Sequence, residues 1–233
     1  MNPRFCCLAR NTTEVLPGVP TLLPYSPRLA DLMHSVGRAQ VVLNGEPESV
    51  ANSLLDAGVT RVFIGEAALL ESATITRLVK RFGAARIGLH VPVKRQAVSW
   101  SFETVSNADF RVVTPSLCEP IWEVLRANGE RSGVRALSWL EEMVHRGVQS
   151  VLLRADICDD TDLNLCAGMV EALGDKLWVA PLHDPAPAVA DWINFGQATQ
   201  LALPIALYHR RQEFLPPPAA SAPATGTAPE SRS

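Results

Sequence analysis

The residue types best able to do chemistry follow three short apolar runs. His90 ends the first run, Arg154 and Asp156 follow the second, and His183 and Asp184 follow the third. Two imidazoles and a carboxylate suit a transition metal, and a guanidinium can clamp a carboxylate or a phosphate. If the three runs end at one place, the sequence predicts a candidate site made of these five side chains.

A structural interpretation stays open beside this one, because solvent tolerates polar residues at a rim without any function. No H-x-x-x-H or H-x-H spacing supports a metal. Asp159, Asp160 and Asp162 loosely resemble a calcium loop, but the glycine and the terminal glutamate of that pattern are missing. A helix N-cap by Asp160 or Thr161 is the preferred interpretation. Cys158, beside them, is interpreted as an inert thiol.

The frame that must position these residues is visible in the apolar pattern. Strands are predicted at residues 40–43, 61–65, 86–91, 150–153, 177–180 and 200–203, with helices at 47–57, 134–145, 162–173 and 188–194. Continuous apolar runs separated by helices are typical of a parallel sheet buried on both faces. The pattern predicts an α/β fold, either a barrel or an open doubly wound sheet. No G-x-G-x-x-G or Walker loop follows a strand, which weakens a nucleotide-binding open sheet.

The length, net charge and cysteine content of the chain limit the class of protein it can belong to. A length of 233 residues suits one β/α barrel. A net charge of −3 gives no basic footprint, so nucleic acid is not an expected partner. No apolar run approaches the ~20 residues of a membrane span. Five cysteines without a C-x-x-C pair indicate neither a disulfide framework nor a zinc ribbon, so a cytoplasmic location is expected. No cofactor is expected.

Two parts of the chain depart from this pattern. From about residue 215 the sequence is rich in Pro, Ala and Ser, which predicts a disordered tail at 215–233 after a barrel at 1–214. The stretch between Ala9 and the strand at 40–43 has room for only one extended piece, at 19–23, and one helix, at 27–36.

One stretch carries a resemblance to a known family. Its residues are Trp122-Glu-Val, Gly129, Ser-Gly-Val-Arg-Ala at 132–136, Trp139, Arg146-Gly147 and Val-Leu-Leu at 151–153, supported by Cys7-Leu8, residues 57–62 and Tyr208-His209. In order and spacing they resemble the cyclase subunit of imidazole glycerol phosphate synthase, a histidine-biosynthesis family, over about residues 40–210. The resemblance implies a (β/α)8-type TIM barrel, here with its first β/α units shortened or partly lost.

The resemblance also implies where the chemistry should lie. In that family two aspartates, at the C-terminal ends of the first and fifth strands, act as general acid and base on a phosphoribosyl-bearing substrate. Ala9 and Pro92 stand at the corresponding positions here. A methyl group and a proline cannot transfer protons, so an active cyclase of this kind is not expected.

The phosphate turns of the family are altered as well. Leu43-Asn44-Gly45 stands for a glycine triplet after the third strand, and Pro181-Leu182-His183 for Ser-Gly-Gly after the seventh. Proline removes a donor, and leucine is expected to block close backbone approach. Only Gly45 and Gly65 are retained as residual phosphate-turn positions.

The family's barrel docks a glutamine amidotransferase at its N-terminal end, through a ring of charged residues. Arg61 matches one basic member of that ring, whereas Ser150 stands where an acid is expected. A second acid, on the second strand, is expected to be lost with its strand. The ammonia gate is therefore predicted to be altered.

The leading hypothesis is a degenerate paralogue, a pseudoenzyme that acts by binding. A small anionic ligand and a glutamine amidotransferase-like or paralogous barrel subunit are its candidate partners. One alternative is an enzyme with new chemistry at His90, Arg154, Asp156, His183 and Asp184. Another is an active cyclase or isomerase of histidine biosynthesis, which requires that Ala9 and Pro92 be misaligned.

Overall fold

The computed structural model describes residues 2–27, 29, 39–96, 104–107, 110–113 and 119–215. Its strands are β1 (Arg4–Leu8), β2 (Thr21–Pro24), β3 (Gln40–Val42), β4 (Val62–Ile64), β5 (Ile87–Arg95), β6 (Thr104–Asn107), β7 (Phe110–Val113), β8 (Trp122–Leu125), β9 (Arg131–Arg135), β10 (Val151–Arg154), β11 (Leu177–Ala180) and β12 (Gln200–Pro204). Its helices are α1 (Glu48–Asp56), α2 (Glu66–Leu70), α3 (Ala73–Phe82), α4 (Ala136–His145), α5 (Asp160–Leu173), α6 (Val189–Asn194) and α7 (Ile205–His209).

Eight of these strands form one closed parallel sheet. β1 to β5 pair in chain order, and β10, β11 and β12 continue the series. The sheet closes because β5 pairs with β10 and β12 pairs with β1, both in parallel. Helices connect strands on the outside, so the fold is the predicted (β/α)8 TIM barrel rather than an open sheet.

Two apolar clusters result from the alternation of side chains along the strands. The smaller cluster fills the interior of the barrel and includes Cys6, Leu22, Phe63 and Leu152. The larger one lies between the strands and the surrounding helices. Gly88 makes room for Phe63 in this interior, since a Cβ on Gly88 would lie 2.6 Å from the Phe63 ring. The interior is therefore a packed core, as in other barrels of this size.

The first β/α unit has a short turn in place of its helix, and the second strand of the barrel is retained. Residues 9–20 contain a single 3-10 turn, Thr12–Glu14, where a barrel usually has a helix. The Asn11 side chain caps this turn by accepting a hydrogen bond from the Thr13 N–H. β2 pairs with both β1 and β3, so the expectation that the second strand was lost is wrong. The helix predicted at 27–36 and the tail predicted at 215–233 lie almost wholly outside the described residues.

An antiparallel hairpin is added at the C-terminal end of the barrel. The last residues of β5 extend beyond the barrel and pair with β8, and β8 pairs with β9. The helix predicted at 134–145 begins at Ala136 instead, because β9 continues to Arg135. The tip of the hairpin reaches the turn after β3, where the Asn44 side-chain amide donates to the Ala127 carbonyl oxygen. In the described part of the chain, no helix is long and apolar enough to cross a bilayer.

Candidate functional site

Four of the five predicted site residues meet in one hydrogen-bonded group at the C-terminal end of the barrel. β10 and β11 are neighbouring strands, and Arg154 and Asp156 follow one while His183 and Asp184 follow the other. Parallel pairing brings the carboxyl ends of these strands together, which places both pairs of residues on the same side of the barrel.

The Asp156 carboxylate is the centre of this group. Its Oδ1 accepts hydrogen bonds from the backbone N–H groups of Leu182, His183 and Asp184, at 3.1, 2.7 and 2.9 Å. Its Oδ2 lies 3.0 Å from Nδ1 of His183. Burial alone would raise the pKa of Asp156, but the hydrogen bonds from His183 and Asp184 outweigh it and hold that pKa below its usual value. Asp156 is therefore an ionised acceptor at neutral pH.

This geometry corrects the expectation for the turn after β11. Leu182 was predicted to block close backbone approach to an anion. Instead, its N–H and the next two converge on one carboxylate oxygen. A backbone N–H is present in every residue except proline, so replacing glycines by Leu182 and His183 leaves the donors in place. Successive N–H groups of this kind form an anion-binding concavity.

Arg154 hydrogen-bonds to the same turn. Its guanidinium donates to the carbonyl oxygen of Pro181 at 2.9 Å and to that of Leu182 at 2.7 Å. Burial lowers the pKa of Arg154, while the nearby Asp156 charge raises it. The guanidinium therefore fixes the turn from one side while Asp156 fixes it from the other.

His90 stands apart from this group. Its side chain is 6% exposed, and its Nδ1 lies 3.1 Å from the carbonyl oxygen of Leu43. Because a carbonyl only accepts, Nδ1 carries the proton and Nε2 has a free lone pair. Nε2 has no hydrogen-bond partner among the described residues. Burial, together with the Arg154 charge, lowers the pKa of His90 to about 4, so the imidazole is neutral at pH 7.

Gly65 makes the contact of His90 possible. It follows β4, the strand between His90 and Leu43, and a Cβ on it would lie 2.6 Å from the Leu43 oxygen and closer still to Asn44. The position therefore requires a residue without a side chain. The atoms nearest to that Cβ position are carbonyl oxygens, and phosphate binding at Gly65 stays a prediction.

We expect Gly65→Ala to destabilise the protein by about 2 kcal/mol, because the new methyl group meets backbone atoms that cannot rotate away. Gly168→Ala is the matched control. Gly168 lies in α5 with open space around its Cβ position, so alanine there should be neutral or stabilising. Urea unfolding of both variants measures the difference. Equal stabilities would contradict the close approach at Gly65.

The hydrogen-bond donors of Asn44, in the turn after β3, are bound to other groups of the protein. The N–H of Asn44 donates to Oε2 of Glu46 at 2.7 Å. The Asn44 side-chain amide donates to the carbonyl oxygen of Ala127, at the tip of the β8–β9 hairpin. A Cβ on Gly45 would lie 2.9 Å from that of Ala127. The tip of the hairpin therefore contacts the turn after β3 at Asn44 and Gly45.

The acidic loop after β10 has a structural explanation. Asp159, not Asp160 or Thr161, caps α5, its Oδ1 accepting from the N–H of Asp162 at 3.1 Å. Arg95 from β5 donates to Asp159 at 2.8 Å. No group of three or more His, Cys, Asp or Glu side chains in the described residues could hold a metal ion. Burial and the surrounding carboxylates raise the pKa of Cys158, which agrees with an inert thiol.

The buried Asp162 ties the hairpin to this loop. One oxygen accepts from the Trp122 indole N–H at 3.2 Å, and the other from the Cys158 N–H at 3.2 Å. Arg95 also lies 3.4 Å from the second oxygen. Sequence reasoning treated these residues separately, although Trp122 belongs to the stretch that carries the family resemblance.

Ala9 and Pro92 lie at the ends of β1 and β5 that open to the C-terminal mouth. Ala9 is buried, and its N–H donates to the Leu22 carbonyl oxygen. Pro92 stands opposite Arg154 in the β5–β10 pairing. Neither side chain has an ionisable group.

At the opposite end of the barrel, the half-buried Arg61 guanidinium contacts neutral groups. It donates to the Ala85 carbonyl oxygen at 2.9 Å, to Gln40 Oε1 at 3.3 Å and to Ser150 Oγ at 3.5 Å. Burial lowers the pKa of Arg61. Ser150 thus meets Arg61 at the position where the family resemblance led us to expect an acid.

Comparisons with known proteins agree with this frame. A family model described as "Histidine biosynthesis protein" matches residues 46–160. The imidazole glycerol phosphate synthase subunit HisF of Trichormus variabilis is 29% identical over 140 residues, which cover 57% of this chain and 48% of the relative. The match therefore spans about half the length of that curated protein. The two matches show that this chain is similar to barrel proteins of histidine biosynthesis.

Proposed function

We propose that this protein is a degenerate paralogue of the cyclase subunit, which has lost the cyclase reaction and acts by binding a ligand or a protein. The observation that carries the proposal is the pair Ala9 and Pro92. Ala9 follows β1, and Pro92 is the last residue of β5 that pairs with β10. The family resemblance requires a general acid and a general base at these two positions, and neither side chain can exchange a proton. We also propose that the protein works in the cytoplasm.

The state of the two phosphate turns supports the proposal. The turn after β3 donates to Glu46 and is covered by Ala127, and the turn after β11 donates to Asp156. Each turn therefore has a carboxylate of the chain where a substrate phosphate would bind. Loss of anchoring adds to loss of acid–base chemistry, because a poorly positioned substrate reacts slowly even at an intact catalytic group.

For a protein partner, the N-terminal end of the barrel is the surface we propose. Arg61 lies there with only neutral side chains around it in the described region. A glutamine amidotransferase-like or paralogous barrel subunit that supplies a carboxylate would complete this environment. The proposal rests on the family resemblance and on the half-buried charge.

Genetic complementation tests the proposed loss of cyclase activity in a cell. We expect that expression of this chain will not restore growth without histidine to an auxotroph that lacks the cyclase subunit. An active cyclase subunit expressed at the same level is the control. Growth supported by this chain would contradict the proposal.

A second candidate function, an enzyme with new chemistry, is favoured by one contact. His183 is 77% exposed, and its Nδ1 is held by Asp156 at 3.0 Å. A carboxylate that orients one ring nitrogen leaves the other free to act as a general base. A reaction of this type would be abolished by His183→Ala and unaffected by His209→Ala, which removes an exposed histidine from α7.

A further inference from the structure

The C-terminal mouth contains an anion-binding concavity whose occupant belongs to the chain. Three consecutive N–H groups, of Leu182, His183 and Asp184, point at one atom, Oδ1 of Asp156. A fourth donor, Nδ1 of His183, lies 3.0 Å from the other oxygen. Four donors around two oxygens of one anion is the arrangement that recognises a phosphate or sulfate group.

The concavity does not depend on Asp156 alone for its shape. Arg154 donates two hydrogen bonds to the Pro181 carbonyl oxygen and one to that of Leu182. Asp184 Oδ1 accepts from the N–H of Ala186 at 2.8 Å, which fixes the other end of the turn. The backbone is therefore held on both sides of the three donors, so we expect the turn to keep its form when the carboxylate is removed.

One cation beside the turn interacts with the carboxylate, although Asp159, Asp162 and Asp184 lie around the same loop. The Asp156 charge raises the pKa of Arg154, so the two groups interact electrostatically. Asp156 contributes one negative charge to the centre of the concavity. Replacing it with an uncharged residue would leave Arg154 and the four donors facing a site without an anion.

We propose that the turn Leu182–His183–Asp184 is an oxyanion site that the chain fills with Asp156, so that ligands bearing a phosphate are excluded while the carboxylate stays in place. This inference deepens the proposed function, on which it rests, by naming what closes the mouth. Asp156 acts as a built-in competitor of phosphate. Removal of its side chain should convert a filled site into an open one.

The test is thermal unfolding of the full chain with increasing inorganic phosphate, at an ionic strength held constant with chloride. The wild type should show no phosphate-specific change in Tm. Asp156→Ala should begin at a lower Tm and rise by about 4 °C at a tenfold excess of phosphate over Kd. Asp156→Asn is the matched control, because its amide oxygen still accepts the three N–H groups, and it should not respond.

Two further arms make the outcome decisive. A phosphate monoester, glycerol 3-phosphate, replaces inorganic phosphate to show whether the site admits an ester or only the free ion. If Asp156→Ala does not fold without additives, phosphate should restore cooperative unfolding where chloride does not. Absence of a phosphate effect on Asp156→Ala, or an equal effect on the wild type, would overturn the inference. Neither result depends on turnover, so failure here is distinct from failure of the proposed function.

Discussion

Between pH 7 and pH 5, titration of His90 should lower the free energy of unfolding by about 2 kcal/mol. Its pKa is about 4 in the folded protein, against an ordinary histidine value of 6.5. Above pH 6.5 both states are neutral, and the stability is fully present. As the pH falls from 6.5 to 4, the unfolded chain binds a proton that the folded protein does not, so stability is lost. The full loss, near pH 4, is on the order of 3 kcal/mol.

The prediction is checked by urea unfolding at pH 7, 6 and 5, with His90→Asn as the comparison. The asparagine amide can donate to Leu43 as Nδ1 does, but it does not titrate. The variant should therefore lack the part of the slope that His90 contributes. His145→Asn, which replaces an exposed histidine in α4, controls for the His-to-Asn substitution itself. Identical slopes for the wild type and His90→Asn would show that the imidazole is not buried as described.

Much of the barrel could be predicted from the sequence because its strands are buried on both faces. The predicted strand at 177–180 coincides with β11, and that at 150–153 differs from β10 by one residue at each end. The choice between a closed and an open sheet could not be made from local pattern. Closure depends on pairing of β5 with β10 and of β12 with β1, which are contacts between distant segments.

The candidate site was predicted in part. The sequence placed Asp156 and His183 together, since they follow neighbouring strands. It did not separate His90, whose hydrogen bond to Leu43 crosses β4 and depends on the missing side chain of Gly65. It also missed that Asp156 binds backbone donors, because those donors belong to residues whose side chains gave no indication of an anion site.

The loss of the cyclase reaction has the largest expected effect. Removing one general acid or base commonly reduces a rate by about 10²–10⁴-fold, and here both positions lack an ionisable group. The filled turns reduce substrate anchoring in addition. We therefore expect a rate at least about 10⁴-fold below that of an active cyclase subunit.

Purified full-length protein incubated with the family's phosphoribosyl substrate and ammonium is the most direct test. The proposal predicts that the substrate is recovered unchanged under conditions in which an active cyclase subunit consumes it completely. Inclusion of ammonium removes any need for an amidotransferase partner, so a negative result reports on the barrel itself. Turnover within a factor of ten of the active subunit would contradict the assignment of Ala9 and Pro92 to the acid–base positions, and with it the proposal that this barrel acts by binding.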